Sequence, residues 1–433
     1  MRWMEIEPSG PVNGSVRIQG SKNSSLALIA AACLADEPVT LHHIPDLFDI
    51  RTIIDIARDI GLLIEHKQTG EMKIDPSGIV STSLDPAKTS AFRASYYFVG
   101  ALLSKHGRIR IGYPGGDDFV HRPIDQHFKV FQAMGAKVHQ FDTHYEVDAA
   151  KGLNGADIFF DVVTSGATIN AMLASVRAQG KTVLRNAARD PEVVDTANML
   201  NQMGARIIGA GTDHIEIRGV DSLSGCSYTV IPDRLIAGTL LMVAGACGGQ
   251  VTLEDVVPEH LGSCLSKLEE IGMDIHVHGD RITAYGPERF KATRVRTGMY
   301  PSFATDLQQP ITALLLKAGG RSMISERVYP NRFSHVPQLL RMGADIRVRG
   351  GVAVIQGGKP LHGAHVHATD VRAGSALIMA GMMAEGTTRI SGLEHIERGF
   401  EHAVETFASI GVSLSIRDET ESYSRKKGML SSQ

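Results

Sequence analysis

The feature that most constrains this chain is internal repetition. Six apolar segments, SLALIAAACLADE, YYFVGALLSKHG, INAMLASVRAQG, AGTLLMVAGACGG, ITALLLKAGG and SALIMAGMMAEG, each lead through a Gly- or Lys-containing turn into a short β stretch. An amphipathic helix follows, then an apolar residue paired with glycine, then a β-branched strand. The closing glycines are Gly61, Gly135, Gly204, Gly272, Gly343 and Gly411, at intervals of 74, 69, 68, 71 and 68 residues. Glycine at that point tolerates the positive φ that ends a helix and turns the chain back into a strand. The same order of elements, six times over, predicts an α/β fold of six related units.

Six units in 433 residues exceed one ordinary core and divide naturally into two groups of three. The boundaries fall near Lys22 and at Tyr228–Thr229, giving one domain over 22–228 and a second over 1–21 plus 229–433. Periodicity alone does not establish that the amino-terminal stretch crosses back to the second domain. Apolar residues at 43% and charged residues at 21% fit a globular protein. With 44 basic and 47 acidic side chains the formal charge is −3, so no overall field favours nucleic acid and anion sites must be local. The tail ESYSRKKGMLSSQ has only a brief basic cluster.

Cys33, Cys226, Cys247 and Cys264 show neither CxxC nor paired metal-ligand spacing. Cys33 and Cys247 read as small apolar fillers, a usage that fits a reducing compartment. The start MRWMEIEP lacks an apolar signal core, and no stretch reaches membrane-spanning length without charges or breakers. A cytoplasmic protein without a membrane partner is expected.

GSKNSSLALIAAACLADEPVTL resembles the opening motif of the bacterial UDP-N-acetylglucosamine enolpyruvyl (1-carboxyvinyl) transferases. FRASYYFVGALL, PGGDDFVHRPIDQH, NAARDPEVVDTANMLNQMGA, FATDLQQP, NRFSHVPQLLRMGA, ATDVRAGSALIMAGMMAEGTT and HIERGF extend the resemblance, in order, over nearly the whole chain. It implies a two-domain inside-out α/β barrel of six βαβαββ repeats, three per domain. The first strand joins the second domain, and an active-site cleft between the domains closes on its ligands. The implied reaction moves the enolpyruvyl group of phosphoenolpyruvate to the 3-hydroxyl of UDP-N-acetylglucosamine and releases phosphate, the first committed step of peptidoglycan synthesis. Addition and elimination pass through a tetrahedral intermediate, which needs a proton donor to carbon, a base at the sugar hydroxyl and cations around phosphate and carboxylate. The resemblance implies no cofactor, no metal, no nucleic acid and no obligate protein partner.

The matched positions carry the implied roles. Lys22, Arg122, Arg372 and Arg398 match phosphoenolpyruvate ligands; lysine supplies a point charge and arginine paired donors. Asn23, Arg93, Arg122, Asp125, Thr164, Ser165, Asp306, Val328 and Arg332 match contacts to the UDP-sugar. Asp306 is the matched carboxylate beside the sugar hydroxyl, although its position also suits a cap on the following helix. Asp117, Asp306, Lys22 and Arg398 form the expected catalytic set.

The sequence departs from the common pattern at Asp117, where most members have the cysteine associated with proton donation and product release. A minority carry aspartate there and keep the reaction, so this chain resembles the aspartate type. An ordinary aspartate has a pKa of about 3.9, and burial or a nearby phosphate is needed to keep Asp117 protonated. A carboxylate cannot form the thioether on which fosfomycin inhibition depends, so insensitivity is expected. Asp118 adds a second carboxylate, Val120 replaces a glycine and stiffens the loop, Ile236 stands where an acid is usual, Tyr97 stands where tryptophan is common, and Val162 where some relatives have lysine. These changes leave two alternatives open, namely enolpyruvyl transfer to another uridine nucleotide in a specialised pathway, or a non-catalytic UDP-sugar sensor.

Overall fold

The computed structural model describes residues 2–90, 92–116 and 122–418. The chain forms two compact units, one of Gln19–Pro232 and the other of Met1–Ile18 with Asp233–Gln433.

Each unit has its own apolar core and its own sheets. The complete repeat is clearest at 157–218. Strand Asp157–Phe159 is followed by helix Ser165–Ser175, strand Lys181–Arg185, helix Pro191–Gln202, and strands Arg206–Ile208 and His214–Arg218. The first strand pairs parallel with the second, and the hairpin adds antiparallel to it. Strands such as Lys181–Arg185 bury alternate residues, so each sheet keeps one face outward.

Sequence order and sheet membership part company at the chain's start. The resemblance implied that the first strand joins the second domain; the structure sends two there. Arg2–Ile6 lies between Thr388–Ser391 and Leu414–Asp418, completing the sixth repeat. Val12–Arg17 pairs parallel with Gly249–Glu254 as the first strand of the fourth. The first repeat takes its opening strand from Ser227–Thr229, parallel to Val39–His42. The chain's cyclic shift thus gives the first, fourth and sixth repeats a strand that lies elsewhere in sequence, while the third and fifth supply all four of theirs locally. In the second repeat that strand shrinks to the parallel bridge of Ser83 with Arg110.

The six closing glycines all have positive φ, from 87° at Gly411 to 112° at Gly272. The two helices of a repeat play different parts. Helix Phe48–Asp59 buries one face through Ile50, Ile53, Ile54 and Ala57, the pattern of a helix against a core. Helix Lys22–Ala32 is buried all round from Ser24 onward. Helices Tyr97–His106, Ser165–Ser175, Arg234–Cys247, Gln308–Leu314 and Val371–Met383 are also largely enclosed. Putting apolar helices inside and sheets outside is what makes the barrels inside-out.

The inner helices of each unit run in the same direction. Gly100 N–H donates to Asn170 Oδ1 at 2.7 Å and Ser104 Oγ donates to Ala174 O at 2.9 Å, a constant offset along two helices. Lys105 Nζ donates to Ala35 O, joining the carboxyl end of the first helix to that of the second. In the other unit, Gly238 faces Leu307 and Gly245 faces Leu314, where a Cβ would come within 2.8 and 2.9 Å of the leucine Cδ1 atoms. Gln309 meets Asp370 at the leading ends and Cys247 meets Met382 at the trailing ends. Three helix heads therefore share one end of each unit. Among the described residues, no helix is long and apolar enough to cross a membrane.

Candidate active site at the helix heads

Among the described residues, matched positions of both units lie at or beside these heads. In the unit Gln19–Pro232, Ser21 caps the first inner helix and Lys22 and Asn23 open it. Lys22 Nζ lies 2.9 Å from Asp49 Oδ2, with the lysine side chain 12% and the aspartate side chain 4% exposed. Asp49 has no counterpart among the residues singled out from sequence; it comes from the adjacent helix Phe48–Asp59.

Arg93 and Arg122 are neighbours. Arg93 Nη2 donates to Arg122 O at 3.1 Å, and the Arg93 guanidinium sits 5.5 Å from the Tyr96 ring centroid. Gly116 packs against both, since a Cβ there would lie 3.2 Å from Arg93 Cβ and 3.4 Å from Arg122 Nη2. Tyr96 also touches Gly166, where its hydroxyl would lie 2.6 Å from a Cβ. Thus Arg93 and the head of Ser165–Ser175 share one aromatic contact. Thr164 caps that helix, and Ser165 Oγ donates to Asp190 Oδ2 at 2.8 Å. Asp125, exposed at the start of helix Asp125–Ala133, accepts from Gln126 Nε2 at 2.8 Å. His127 behind it is buried and held down to about 3 by loss of solvation, with the Arg93 charge adding to the effect.

The other unit presents a carboxylate between two cations. Arg332 Nη1 donates to Asp306 Oδ1 at 2.5 Å, and Arg372 donates to Asp306 Oδ2 through Nε at 3.1 Å and Nη2 at 3.0 Å. Both arginine side chains are 5% exposed and Asp306 is 27% exposed. Burial pulls the Asp306 carboxyl upward, but the Arg332 and Arg372 charges more than reverse it and hold the group well below the usual carboxylate range. Asp306 is not a helix cap: Ala304 and Leu307 occupy the cap positions without side-chain bonds. Asp370 caps helix Val371–Met383 through Arg372 N–H and Ala373 N–H, and also accepts from Ser334 Oγ at 2.8 Å. One buried carboxylate thereby ties the Arg332 segment to the Arg372 helix.

Val328 N–H donates to Glu326 Oε1 at 2.8 Å. Arg398 follows the short helix Leu393–Glu397. Ile236 is 2% exposed in the first turn of Arg234–Cys247, so the departure there fills core. Tyr97 is also buried, edge-on to Tyr96. Asp117, Asp118 and Val120 lie outside the described residues.

A physical regularity unites these heads. Helix amino ends carry partial positive charge and ordinarily favour acids in the first turn. None of the six inner helices has an acid there, although Asp233 and Asp370 cap two of them. The outer helices of the unit Gln19–Pro232 carry Asp49, Asp125 and Glu192, and the outer helices Gly262–Ile271 and Val336–Arg341 of the other unit carry none. Lys22, Arg234 and Arg372 instead place cations in first turns, against the dipole preference. The arrangement lowers helix stability locally and concentrates donors and positive charge for an anion.

The sequence signature of the EPSP synthase (3-phosphoshikimate 1-carboxyvinyltransferase) family matches residues 6–407. UDP-N-acetylglucosamine 1-carboxyvinyltransferase 2 of Bacillus anthracis is 46% identical over 414 residues, 96% of each chain. The enzyme of that name from Latilactobacillus sakei is 44% identical, covering 97% of this chain and all of the relative. Among solved structures, the enolpyruvyl transferase NikO from Streptomyces tendae has the same fold at TM-score 0.87 and 24% identity, covering 96% of this chain and 98% of NikO. EPSP synthase from Acinetobacter baumannii follows at TM-score 0.71 and 19% identity, covering 96% and 100%. With a signature spanning almost its whole length and relatives at 46% identity, the chain belongs to the EPSP synthase family of carboxyvinyl transferases.

Proposed function

We propose that this protein transfers the enolpyruvyl group of phosphoenolpyruvate to the 3-hydroxyl of UDP-N-acetylglucosamine, releasing phosphate, as the first committed step of peptidoglycan synthesis in the cytoplasm. Relatives at 44–46% identity over nearly the whole chain carry the corresponding name. The observation that carries the reading is the charge placement at the inner-helix heads: cations where the dipole favours acids, and Asp306 held ionised between Arg332 and Arg372.

On this reading Lys22, Arg122, Arg372 and Arg398 hold phosphoenolpyruvate. Asn23, Arg93, Arg122, Asp125, Thr164, Ser165, Asp306, Val328 and Arg332 hold the UDP-sugar. The sugar oxygen bonds to C2 of phosphoenolpyruvate while C3 gains a proton from Asp117. Loss of phosphate and of a C3 proton restores the double bond. Asp306 accepts the hydroxyl proton. Clamped by two guanidiniums it is a weak base, and drawing Arg372 toward the phosphoenolpyruvate anion raises its basicity as substrate arrives. Substrate binding and base activation are then one event.

The test is phosphate release from phosphoenolpyruvate by purified protein, with and without UDP-N-acetylglucosamine, alongside Asp117→Asn. Release that requires the sugar nucleotide and is lost in the variant is the expected result. Nucleotide binding without release in the unaltered protein would overturn the catalytic reading.

A further inference from the structure

Glu326 is buried, 3% exposed, at the end of strand Gly320–Ser325. Its Oε1 accepts from Thr297 Oγ1 at 2.8 Å, Val328 N–H at 2.8 Å and Tyr329 N–H at 2.9 Å. Its Oε2 accepts from Thr305 Oγ1 at 2.9 Å. Thr305 Oγ1 also lies 3.2 Å from Arg332 Nη1, which in turn contacts Asp306.

The direction of the Thr305 hydroxyl is forced by its neighbours. A guanidinium only donates and a carboxylate only accepts. The Thr305 proton must therefore point to Glu326, leaving an oxygen lone pair for Arg332. We propose that Glu326 is a positioning residue for the transferase, acting through the Thr305 hydroxyl to hold Arg332 on Asp306.

Its two oxygens divide the work. Oε1 gathers the backbone of 328–329 and the Thr297 hydroxyl, which itself accepts from Arg327 N–H at 2.9 Å. Oε2 serves the relay alone. Glutamine makes the distinction testable. Its amide oxygen would stay in the Oε1 position, where three donors converge, and its NH₂ would face Thr305. The hydroxyl would then have to accept from the amide as well as from Arg332, and its proton would lose the carboxylate acceptor that fixes its direction. Bulk and burial are unchanged, so the substitution reverses one hydrogen bond.

The experiment compares unaltered protein with Glu326→Gln, Thr305→Val, Thr305→Ser and the Glu326→Gln/Thr305→Val double variant, using phosphate release. It rests on the reading above for its substrates. Glu326→Gln and Thr305→Val should each raise KM for UDP-N-acetylglucosamine on the order of tenfold, the scale of one hydrogen bond to a charged group. The kcat should change less than about threefold, because Asp306 itself remains. Thr305→Ser should restore a KM close to that of the unaltered protein. The double variant should be no worse than Thr305→Val, since both changes cut the same relay. Unchanged KM in Glu326→Gln, or losses that multiply in the double variant, would overturn the assignment. If Glu326→Gln does not fold, Thr305→Val against Thr305→Ser carries the kinetic comparison. A crystal structure of either relay-breaking variant supplies a readout free of the substrate assignment. Arg332 drawn off Thr305 supports the relay, and Arg332 unmoved rejects it. Absence of turnover in the unaltered protein would reject the functional reading while leaving that structural test intact.

Discussion

In the unit Gln19–Pro232, the inner-helix heads carry Lys22, with Arg93 and Arg122 alongside; Lys22 pairs with Asp49, and Arg93 donates to the Arg122 carbonyl. In the other unit, two guanidiniums converge on Asp306. The opposite ends offer a second contrast. There Lys317 donates to Ala246 O in the last turn of Arg234–Cys247, and Lys105 and Arg177 donate to Ala35 O and Leu34 O just past the end of Lys22–Ala32. Cations at carboxyl ends follow the helix dipole; those at the heads oppose it. A net charge of −3 hides this polarity. The lesson is that a charge placed with the dipole explains itself structurally, while one placed against it points to a ligand.

The most severe way to break the comparison is Asp306→Asn. Turnover should fall on the order of a thousandfold, within the range for a general base, and phosphate release measures it directly. Retention of a tenth of the activity would show that the clamp organises binding without proton transfer. The sign of the pH dependence follows from the lowered Asp306 pKa. Its stabilising contribution is complete above the unfolded aspartate value of about 3.9 and disappears as pH falls through the lower folded value. Thermal stability between pH 5 and 8 should therefore show no titration from this group. A midpoint in that window that vanishes in Asp306→Asn would contradict the clamp.

Lys22→Met tests the other unit and should have the next largest effect. The kcat/KM for phosphoenolpyruvate should fall about a hundredfold, equivalent to about 2.7 kcal/mol and within the range of hydrogen bonds to charged groups. The variant also leaves Asp49 buried without the lysine, so a lowered Tm should accompany the loss. Asp49→Asn separates the two consequences: it relieves the buried charge while leaving Lys22 for the substrate. If both variants lose activity equally, Lys22 acts through its ion pair, and the contrast between the two helix heads collapses.

Much of this arrangement was legible in the sequence, for unequal reasons. The six-unit order followed from apolar spacing and from glycines at Gly61 to Gly411, because helix length and positive φ are local properties. Membership of Val12–Arg17 in the fourth repeat was not legible, since six residues of strand look alike whichever sheet receives them. The resemblance named Asp306, Arg332 and Arg372 separately, and only folding shows that they share one carboxylate. Asp49, Asp370 and Glu326 escaped because a lone acid in sequence usually marks a solvated surface. The signal available was weak: Asp370 precedes an apolar helix in a capping position, and Glu326 follows the short strand Gly320–Ser325. Nothing local marks Asp49 as the partner of Lys22, twenty-seven positions away.

The smallest expected effect asks whether the two units are equivalent where function is absent. Gly204 and Gly411 close the third and sixth repeats, with φ of 106° and 87°. A Cβ at either position would meet nothing within 4 Å, so Gly→Ala there adds backbone strain without a clash. The left-handed region costs an L-residue roughly 1–2 kcal/mol, offset in part by reduced freedom of the unfolded chain. Each substitution should lower Tm by a few degrees, about 2–4 °C per kcal/mol for a domain of this size, and leave KM unchanged. Similar shifts in Gly204→Ala and Gly411→Ala would mean that the repeats are interchangeable as scaffolds and differ only at the helix heads. A loss of activity in one of them, without a matching loss of stability, would instead show that the punctuation of that repeat reaches the chemistry.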